Sequence, residues 1–230
     1  MWLYSIILIC SLSVPLILSF DKKLQFYKKW IFIFPSILIV AVFYIIGDIY
    51  LTDAGVWGFN SLYHLNILIA NLPIEEWLFF ILIPYACIFL HESLVLYFPG
   101  LKLDQVLARR IVVFLILAAV VTLFFNYDRS YTVYVLSLVI VALLLSLFDK
   151  TNVISTYFVS FLLILIPFVI VNALLTGSFM HHEVVWYNDQ ENMGIRFLTI
   201  PIEDIGYAFS MILYNLLLIP RLKNFMKNNK

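Results

Sequence analysis

Pro73-Ile74-Glu75-Glu76 and Pro201-Ile202-Glu203-Asp204 each open a long apolar segment of this 230-residue chain. Charged side chains are otherwise kept out of such segments, because a carboxylate next to hydrocarbon is costly. Two adjacent acids at two matching places therefore indicate an internal duplication. They also indicate chemistry that uses carboxyl groups within or at the edge of an apolar cavity.

The composition is that of a protein solvated by lipid. The chain is 64% hydrophobic and 12% charged, whereas soluble domains are about half apolar and about a quarter charged. Apolar runs of about 20 residues recur along the whole length, and each can cross a hydrocarbon core of about 30 Å. No basic patch indicates a nucleic-acid partner. Cys10 and Cys87 lie within apolar runs, which is typical of small hydrophobic residues rather than of a disulfide or metal pair.

The pattern predicts an all-α integral membrane protein with seven transmembrane helices, at about 2–20, 31–50, 74–96, 111–125, 132–148, 153–175 and 201–219. Spans one to three align with spans five to seven, and the loops before the two acidic motifs both carry a Val-Trp pair, Val56-Trp57 and Val185-Trp186. We therefore expect two parallel three-helix repeats, 1–110 and 126–230, joined by a connector helix at 111–125.

The distribution of positive charge predicts the orientation. If the N-terminus lies outside, twelve of the 14 Lys and Arg residues fall on the inner side, and only Arg129 and Arg196 fall outside. Inner loops of membrane proteins carry the excess of Lys and Arg, so we expect a multi-pass protein of the cell membrane with a cytoplasmic C-terminus. The first segment is interpreted as a retained span rather than a signal peptide, because its positive charges follow it.

The four acids Glu75, Glu76, Glu203 and Asp204 follow a proline and are expected in the first turn of a helix. Acids are favoured there by the helix dipole, which is the structural alternative to a catalytic role. Adjacent residues on a helix lie about 100° apart, so at most one acid of each pair is expected to point at a shared axis while the other orients it. Their repetition in both halves favours a catalytic role over a purely structural one.

Aromatic side chains gather in or beside the two acidic loops: Trp57, Phe59, Tyr63, Trp77, Trp186, Tyr187 and Tyr207. Trp and Tyr commonly form belts at membrane interfaces, which accounts for most aromatics of such a chain. Aromatic faces also stabilise cations, so this cluster suits a dry pocket in which a carbocation forms.

Other polar features are given structural interpretations. His91 and Glu92, near the inner end of the third span, are expected to reach cytoplasmic water. His181, His182 and Glu183 lack a matching ligand set, so no metal site is expected. No glycine-rich dinucleotide or phosphate loop is present, and the seventh span has no lysine for a retinal Schiff base; no cofactor is therefore expected.

The sequence resembles the lycopene cyclase domain, which occurs as two small membrane subunits or as one fused chain. The resemblance rests on three stretches of the first half and one of the second, Gly55-Val56-Trp57-Gly58-Phe59-Asn60, Asn71-Leu72-Pro73-Ile74-Glu75-Glu76-Trp77-Leu78-Phe79-Phe80, Pro84-Tyr85-Ala86-Cys87 and Ile200-Pro201-Ile202-Glu203-Asp204. The second half lacks Gly-Phe-Asn after its tryptophan and has Asp204 in place of a second Glu, so the two halves are not expected to have equal roles.

The resemblance implies a membrane lycopene β-cyclase that closes the open ends of lycopene by acid/base chemistry through a carbocation, without net redox change. It implies Glu75 or Glu76 as the acid, with Glu203 and Asp204 setting its protonation or accepting the proton, or the reverse. The substrate-binding candidates are Trp57, Phe59, Asn60, Asn71, Trp77, Trp186 and Tyr207. The expected partners are lycopene or a related carotenoid and membrane lipid, and self-association or association with other carotenoid enzymes is left open.

Two alternatives are left open. One is another enzyme of carotenoid ends, such as a hydratase or a one-ended cyclase. The other is a non-catalytic protein, either a carotenoid-binding partner or a small transporter. Transport is disfavoured because the first, fourth and fifth spans contain no Asp, Glu, Lys, Arg or His.

Overall fold

A computed structural model describes residues 2–228; the last two residues of the expected cytoplasmic tail, Asn229 and Lys230, lie outside the described range. Within that range the chain forms seven α-helices: α1 Leu3–Leu18, α2 Trp30–Asp53, α3 Ile74–Tyr97, α4 Gln105–Phe125, α5 Ser130–Leu147, α6 Val153–Leu175 and α7 Glu203–Asn228. Six of them are long and apolar enough to cross a membrane, and α1 is a shorter apolar helix. The prediction of an all-α membrane protein with seven helices is confirmed.

Helices α4 and α7 depart most from their predicted bounds. Helix α4 begins at Gln105, six residues before the expected start, because the Asp104 carboxylate accepts hydrogen bonds from the backbone N–H groups of Val106 (2.9 Å) and Leu107 (3.3 Å). This N-cap satisfies donors that have no partner inside the helix. Helix α7 continues through Pro220 to Asn228.

The two halves of the bundle interlock. Helix α1 packs against α3 and α5 packs against α7, while α2 crosses to α7 and α6 crosses to α3. The Tyr157 hydroxyl donates to the Phe209 backbone carbonyl (2.8 Å), which joins α6 to α7 at the centre of the core. Helix α4 lies beside α5 and α6. The residue limits of the two repeats and of the connector stay a prediction.

Short strands in the long loops set the start of both acidic helices, a feature that sequence reasoning did not predict. The hairpin of β2 (Leu68–Ile69) and β3 (Leu72–Pro73) leads into α3, and the hairpin of β5 (Arg196–Phe197) and β6 (Ile200–Pro201) leads into α7. In the hairpin turn between β2 and β3, Ala70 and Asn71 have positive φ angles (49° and 62°), as tight hairpin turns require. Pro73 is consequently the N-cap of α3 rather than a residue of its first turn.

Two further strands relate the halves by an approximate two-fold axis. Strand β1 (Trp57–Phe59) pairs antiparallel with β4 (Val185–Tyr187), and Gly58 lies opposite Trp186. Each residue of β1 corresponds to the residue of β4 that lies 128 positions later. The flanking hydrogen bonds correspond in the same way: the Asn60 N–H donates to the Val184 carbonyl and the Asn188 N–H donates to the Val56 carbonyl, both at 2.9 Å. Reciprocal contacts of this kind are what a two-fold axis produces. The register makes Val185, not Trp186, the counterpart of Trp57, so the alignment of the two Val-Trp pairs was wrong by one residue.

Candidate active site

One acid of each pair faces a central cavity, and the other faces away. Glu76 of α3 and Asp204 of α7 line a narrow cavity of about 60 Å³, together with residues of α1, α2, α5, α6, β1 and β4. Both side chains are buried, with 8% and 5% of their surface exposed. Two carboxyl groups, one from each repeat, therefore line the same cavity.

Tyrosine hydroxyls hold both cavity carboxyls. The Tyr4 hydroxyl donates to Glu76 Oε2. The Tyr131 hydroxyl donates to Asp204 Oδ1 at 2.5 Å, and the Tyr187 hydroxyl donates to Asp204 Oδ2 at 3.1 Å. Burial raises the pKa of Tyr187 well above its usual value, so this hydroxyl keeps the proton that it donates. Glu76 thus has one hydroxyl donor and Asp204 has two.

The other two acids tie the loops to the helices. Glu75 Oε1 accepts hydrogen bonds from Ser5 Oγ of α1 and from the Leu65 backbone N–H, both at 2.9 Å. The same bonds recur in the second repeat at 2.7 Å, from Thr132 Oγ1 and the Met193 N–H to Glu203 Oε1. Each acid joins the first helix of its own repeat to the loop that precedes the hairpin. Glu75 and Glu203 accordingly hold in place the first turns of α3 and α7, which carry Glu76 and Asp204.

Three of the seven substrate-binding candidates line the cavity, namely Trp57, Phe59 and Tyr207. Trp57 is 4% exposed, and its ring meets that of Tyr131 edge-on at 5.0 Å. Trp186 lies off the cavity, 39% exposed, with its ring over the Gly58 backbone. A Cβ at Gly58 would lie 2.4 Å from that ring, so a larger residue there would displace the Trp186 ring.

The remaining three candidates do not line the cavity and form hydrogen bonds in the loop between α2 and α3. Asn71 Nδ2 donates to Asp53 Oδ1 (2.8 Å), and the Trp77 indole N–H donates to the Ile69 backbone carbonyl (3.1 Å). The Asn60 side-chain oxygen accepts from the Leu62 N–H (3.1 Å). These bonds stabilise the β2–β3 turn and the loop after β1.

Sequence reasoning missed the partners of the acids. Tyr4 and Tyr131 open α1 and α5, each is followed by a hydroxyl residue (Ser5, Thr132), and they lie 127 residues apart. That repeated Tyr-Ser/Thr pair was a visible signal. Asp48 was missed as well, although a lone acid within an apolar span is a functional-site hypothesis by default.

His91 and Glu92, near the C-terminal end of α3, have different surroundings. Glu92 forms an ion pair with Lys29 (2.5 Å). His91 does not reach water as expected: it is buried, and its Nδ1 lies 2.7 Å from Ser160 Oγ. That hydroxyl is a hydrogen-bond partner for the ring nitrogen inside the bundle, so His91 does not need water as a partner. Within residues 2–228, no three His, Cys, Asp or Glu side chains gather as a metal site needs.

Comparison with protein families gives one match. A family model described as lycopene cyclase matches residues 1–94 and 128–222, on either side of the stretch that contains α4. The comparisons with curated proteins and with solved structures gave no match.

Proposed function

From the premise that this chain belongs to the lycopene cyclase family, we propose that it is a membrane lycopene β-cyclase that closes the open ends of lycopene to β-rings, giving γ-carotene and then β-carotene. The observation that carries the proposal is the meeting of Glu76 and Asp204, one from each repeat, on one buried cavity lined by aromatic rings.

The chemistry needs an acid and a base and nothing that changes oxidation state. A proton adds to C2 of the terminal C1=C2 double bond, which leaves a tertiary cation at C1. The C5=C6 electron pair then forms the C1–C6 bond, and a base removes the C6 proton to give the C5=C6 bond of the β-ring. One proton enters and one leaves, so the reaction is an isomerisation. Proton transfer by positioned side chains contributes about 10²- to 10⁴-fold to such rates.

The walls of the cavity suit the charge that develops. Trp57, Phe59 and Tyr207 present aromatic surface, which stabilises a cation without reacting with it. Glu76 and Asp204 place two carboxyl groups on the same space, and their tyrosine donors stabilise a carboxylate that forms there. These two acids are the direct partners of the reacting end, and Glu75 and Glu203 position them.

The substrate matches the location of the site. Lycopene is an apolar polyene that dissolves in the bilayer, and apolar side chains cover the outside of the helices, including Val42, Phe43 and Ile46 of α2. The cavity is smaller than the roughly 300–1,000 Å³ of ordinary small-molecule sites. Entry of an end group therefore requires the lining side chains to move apart.

Expression in a lycopene-accumulating bacterium tests the proposal. Pigment extracts are expected to contain γ- and β-carotene when the gene is present. A variant with Glu76→Gln and Asp204→Asn, inserted at the same level, serves as the control and is expected to leave lycopene unconverted. Unchanged lycopene in cells that contain the correctly inserted wild-type protein would refute the cyclase function.

The orientation belongs to the same proposal. The excess of Lys and Arg in the loops α1–α2, α3–α4 and α5–α6, in the first turns of α4 and in the last turns of α7 supports a cytoplasmic location of these segments. The acidic loops and the cavity then lie toward the outer face of the cell membrane.

A further inference from the structure

A third carboxyl group lies on the cavity wall. Asp48 of α2 is 2% exposed and lines the same cavity as Glu76 and Asp204. Within residues 2–228 its Oδ2 has no hydrogen-bond partner, and the same is true of the Tyr207 hydroxyl, which lines the cavity too. Buried polar groups without partners are rare in proteins and call for an explanation.

The surroundings of Asp48 differ from those of the other two acids. Glu76 and Asp204 each accept a tyrosine hydroxyl, whereas Asp48 Oδ2 has no hydrogen-bond partner in the described part of the chain. The two ion pairs found among residues 2–228, Lys29–Glu92 and Arg196–Asp189, do not involve it. A carboxylate buried without a donor or a counter-charge is much costlier than the neutral acid, so this environment favours the protonated form.

The second repeat carries an amide at the equivalent position. The Val56 N–H donates to the Leu51 carbonyl (3.0 Å), and its counterpart 128 residues later, Val184, donates to the Leu175 carbonyl (2.9 Å). Leu51 and Leu175 are therefore equivalent, and three residues before them stand Asp48 and Asn172. Asn172 also lines the cavity, and its Nδ2 donates to the Phe168 carbonyl (3.2 Å). The two side chains have the same shape, but only the carboxyl group can release a proton.

We propose that Asp48 is a catalytic residue, the proton donor that starts ring closure. This assignment rests on the cyclase function proposed above. A donor to an alkene must be a neutral acid whose O–H is not engaged elsewhere, and Asp48 faces the cavity with an oxygen that has no partner. The tyrosine-bound carboxylates are left for the opposite task, the stabilisation of the cation and the removal of its proton.

The step balances as follows. The Asp48 O–H proton passes to C2 of the substrate, the C1=C2 electron pair forms the new C2–H bond, and Asp48 becomes a carboxylate. After the C1–C6 bond forms, Glu76 or Asp204 takes the C6 proton, and the C6–H electron pair becomes the C5=C6 bond. Transfer of that proton back to Asp48 restores the site for the second end of the substrate.

The test compares three variants with the wild-type enzyme, using lycopene in detergent or lipid micelles. Asp48→Asn keeps the shape and is expected to lower kcat by about 10²- to 10⁴-fold with little change in KM. Asp48→Glu keeps the carboxyl group and is expected to retain more activity than Asp48→Asn. Asp53→Asn is the matched control, because Asp53 lies on the same helix, is exposed and does not line the cavity; it is expected to behave like the wild type.

Each outcome decides the assignment. If Asp48 is the proton donor, activity is expected to decrease from the wild type to Asp48→Glu and then to Asp48→Asn, with equal amounts of monodisperse protein in all preparations. A near-normal kcat in Asp48→Asn, or more activity in Asp48→Asn than in Asp48→Glu, would overturn this assignment and give Asp48 a packing role. Absence of ring formation by the wild-type enzyme would instead refute the cyclase function itself, so the two failures are distinguishable.

Discussion

Removal of the Tyr4 hydroxyl is expected to impair turnover more than removal of its counterpart, the Tyr131 hydroxyl. Tyr4→Phe deletes the one hydroxyl that reaches Glu76. Tyr131→Phe deletes one of two hydroxyls on Asp204, because Tyr187 still donates to Oδ2 at 3.1 Å. The approximate symmetry of the repeats makes each substitution the control for the other.

The magnitude follows from the cost of an unsatisfied buried acceptor. A buried group that loses its hydrogen-bond partner is destabilised by about 1–3 kcal/mol, and more when it is charged. Loss of the donor favours protonation of the carboxylate by the same free energy, so the ionised fraction falls by up to the corresponding factor, about 5- to 150-fold at 1.36 kcal/mol per tenfold. Tyr4→Phe is expected within that range, and Tyr131→Phe is expected to lose less than about fivefold. The double variant Tyr131→Phe/Tyr187→Phe is expected to match Tyr4→Phe.

The assay is the rate of ring formation per folded protein in detergent, with the amount of folded protein taken from size-exclusion chromatography. A greater loss in Tyr131→Phe than in Tyr4→Phe would contradict the reasoning, since the number of donors would then not determine the effect. Equal, near-normal rates in both variants would show that the carboxylates do not depend on these hydroxyls.

Three further outcomes are expected. Glu76→Gln is expected to abolish turnover at normal protein level, whereas Glu75→Gln is expected mainly to lower thermal stability, because Glu75 bonds the loop and not the cavity; the reverse pattern in product per folded protein and in Tm would refute this division. Gly58→Ala is expected to lower Tm by displacing the Trp186 ring, and an unchanged Tm would show that the strand pair tolerates a Cβ. If the loop after β1 faces outward as proposed, a cysteine introduced at its exposed Ser61 is expected to react with an impermeant maleimide in intact cells; protection there together with labelling only after lysis would reverse the orientation.

The sequence was sufficient for the architecture because lipid imposes simple rules on it. Long apolar runs must be helices, so the count of seven and most helix ends could be predicted. The repeated Pro-Ile-acid-acid strings fixed the duplication and put Glu75, Glu76, Glu203 and Asp204 in first turns, where the structure has them.

The roles of individual residues depended on contacts that no periodicity encodes. The division between Glu75 and Glu76 is set by Ser5 and Tyr4, 70 or more residues away on α1. The hairpins before α3 and α7 are four-residue ladders, too short to leave an alternating pattern. The one-residue error at Trp186 arose because identity of residue type was taken as equivalence of position, whereas the register of β1 against β4 decides it.

Two departures from symmetry lie on the wall of the cavity. Asp48 has Asn172 as its counterpart, and Glu76 differs from Asp204 both in length and in its number of tyrosine donors. The bonds that only support the helices, by contrast, are repeated faithfully at Glu75 and Glu203. A duplicated chain that needed two identical sites would keep its symmetry at the cavity. Here the scaffold stays symmetric while the cavity does not, which agrees with the proposed reaction, because that reaction adds a proton at one carbon of an end group and removes a proton from another.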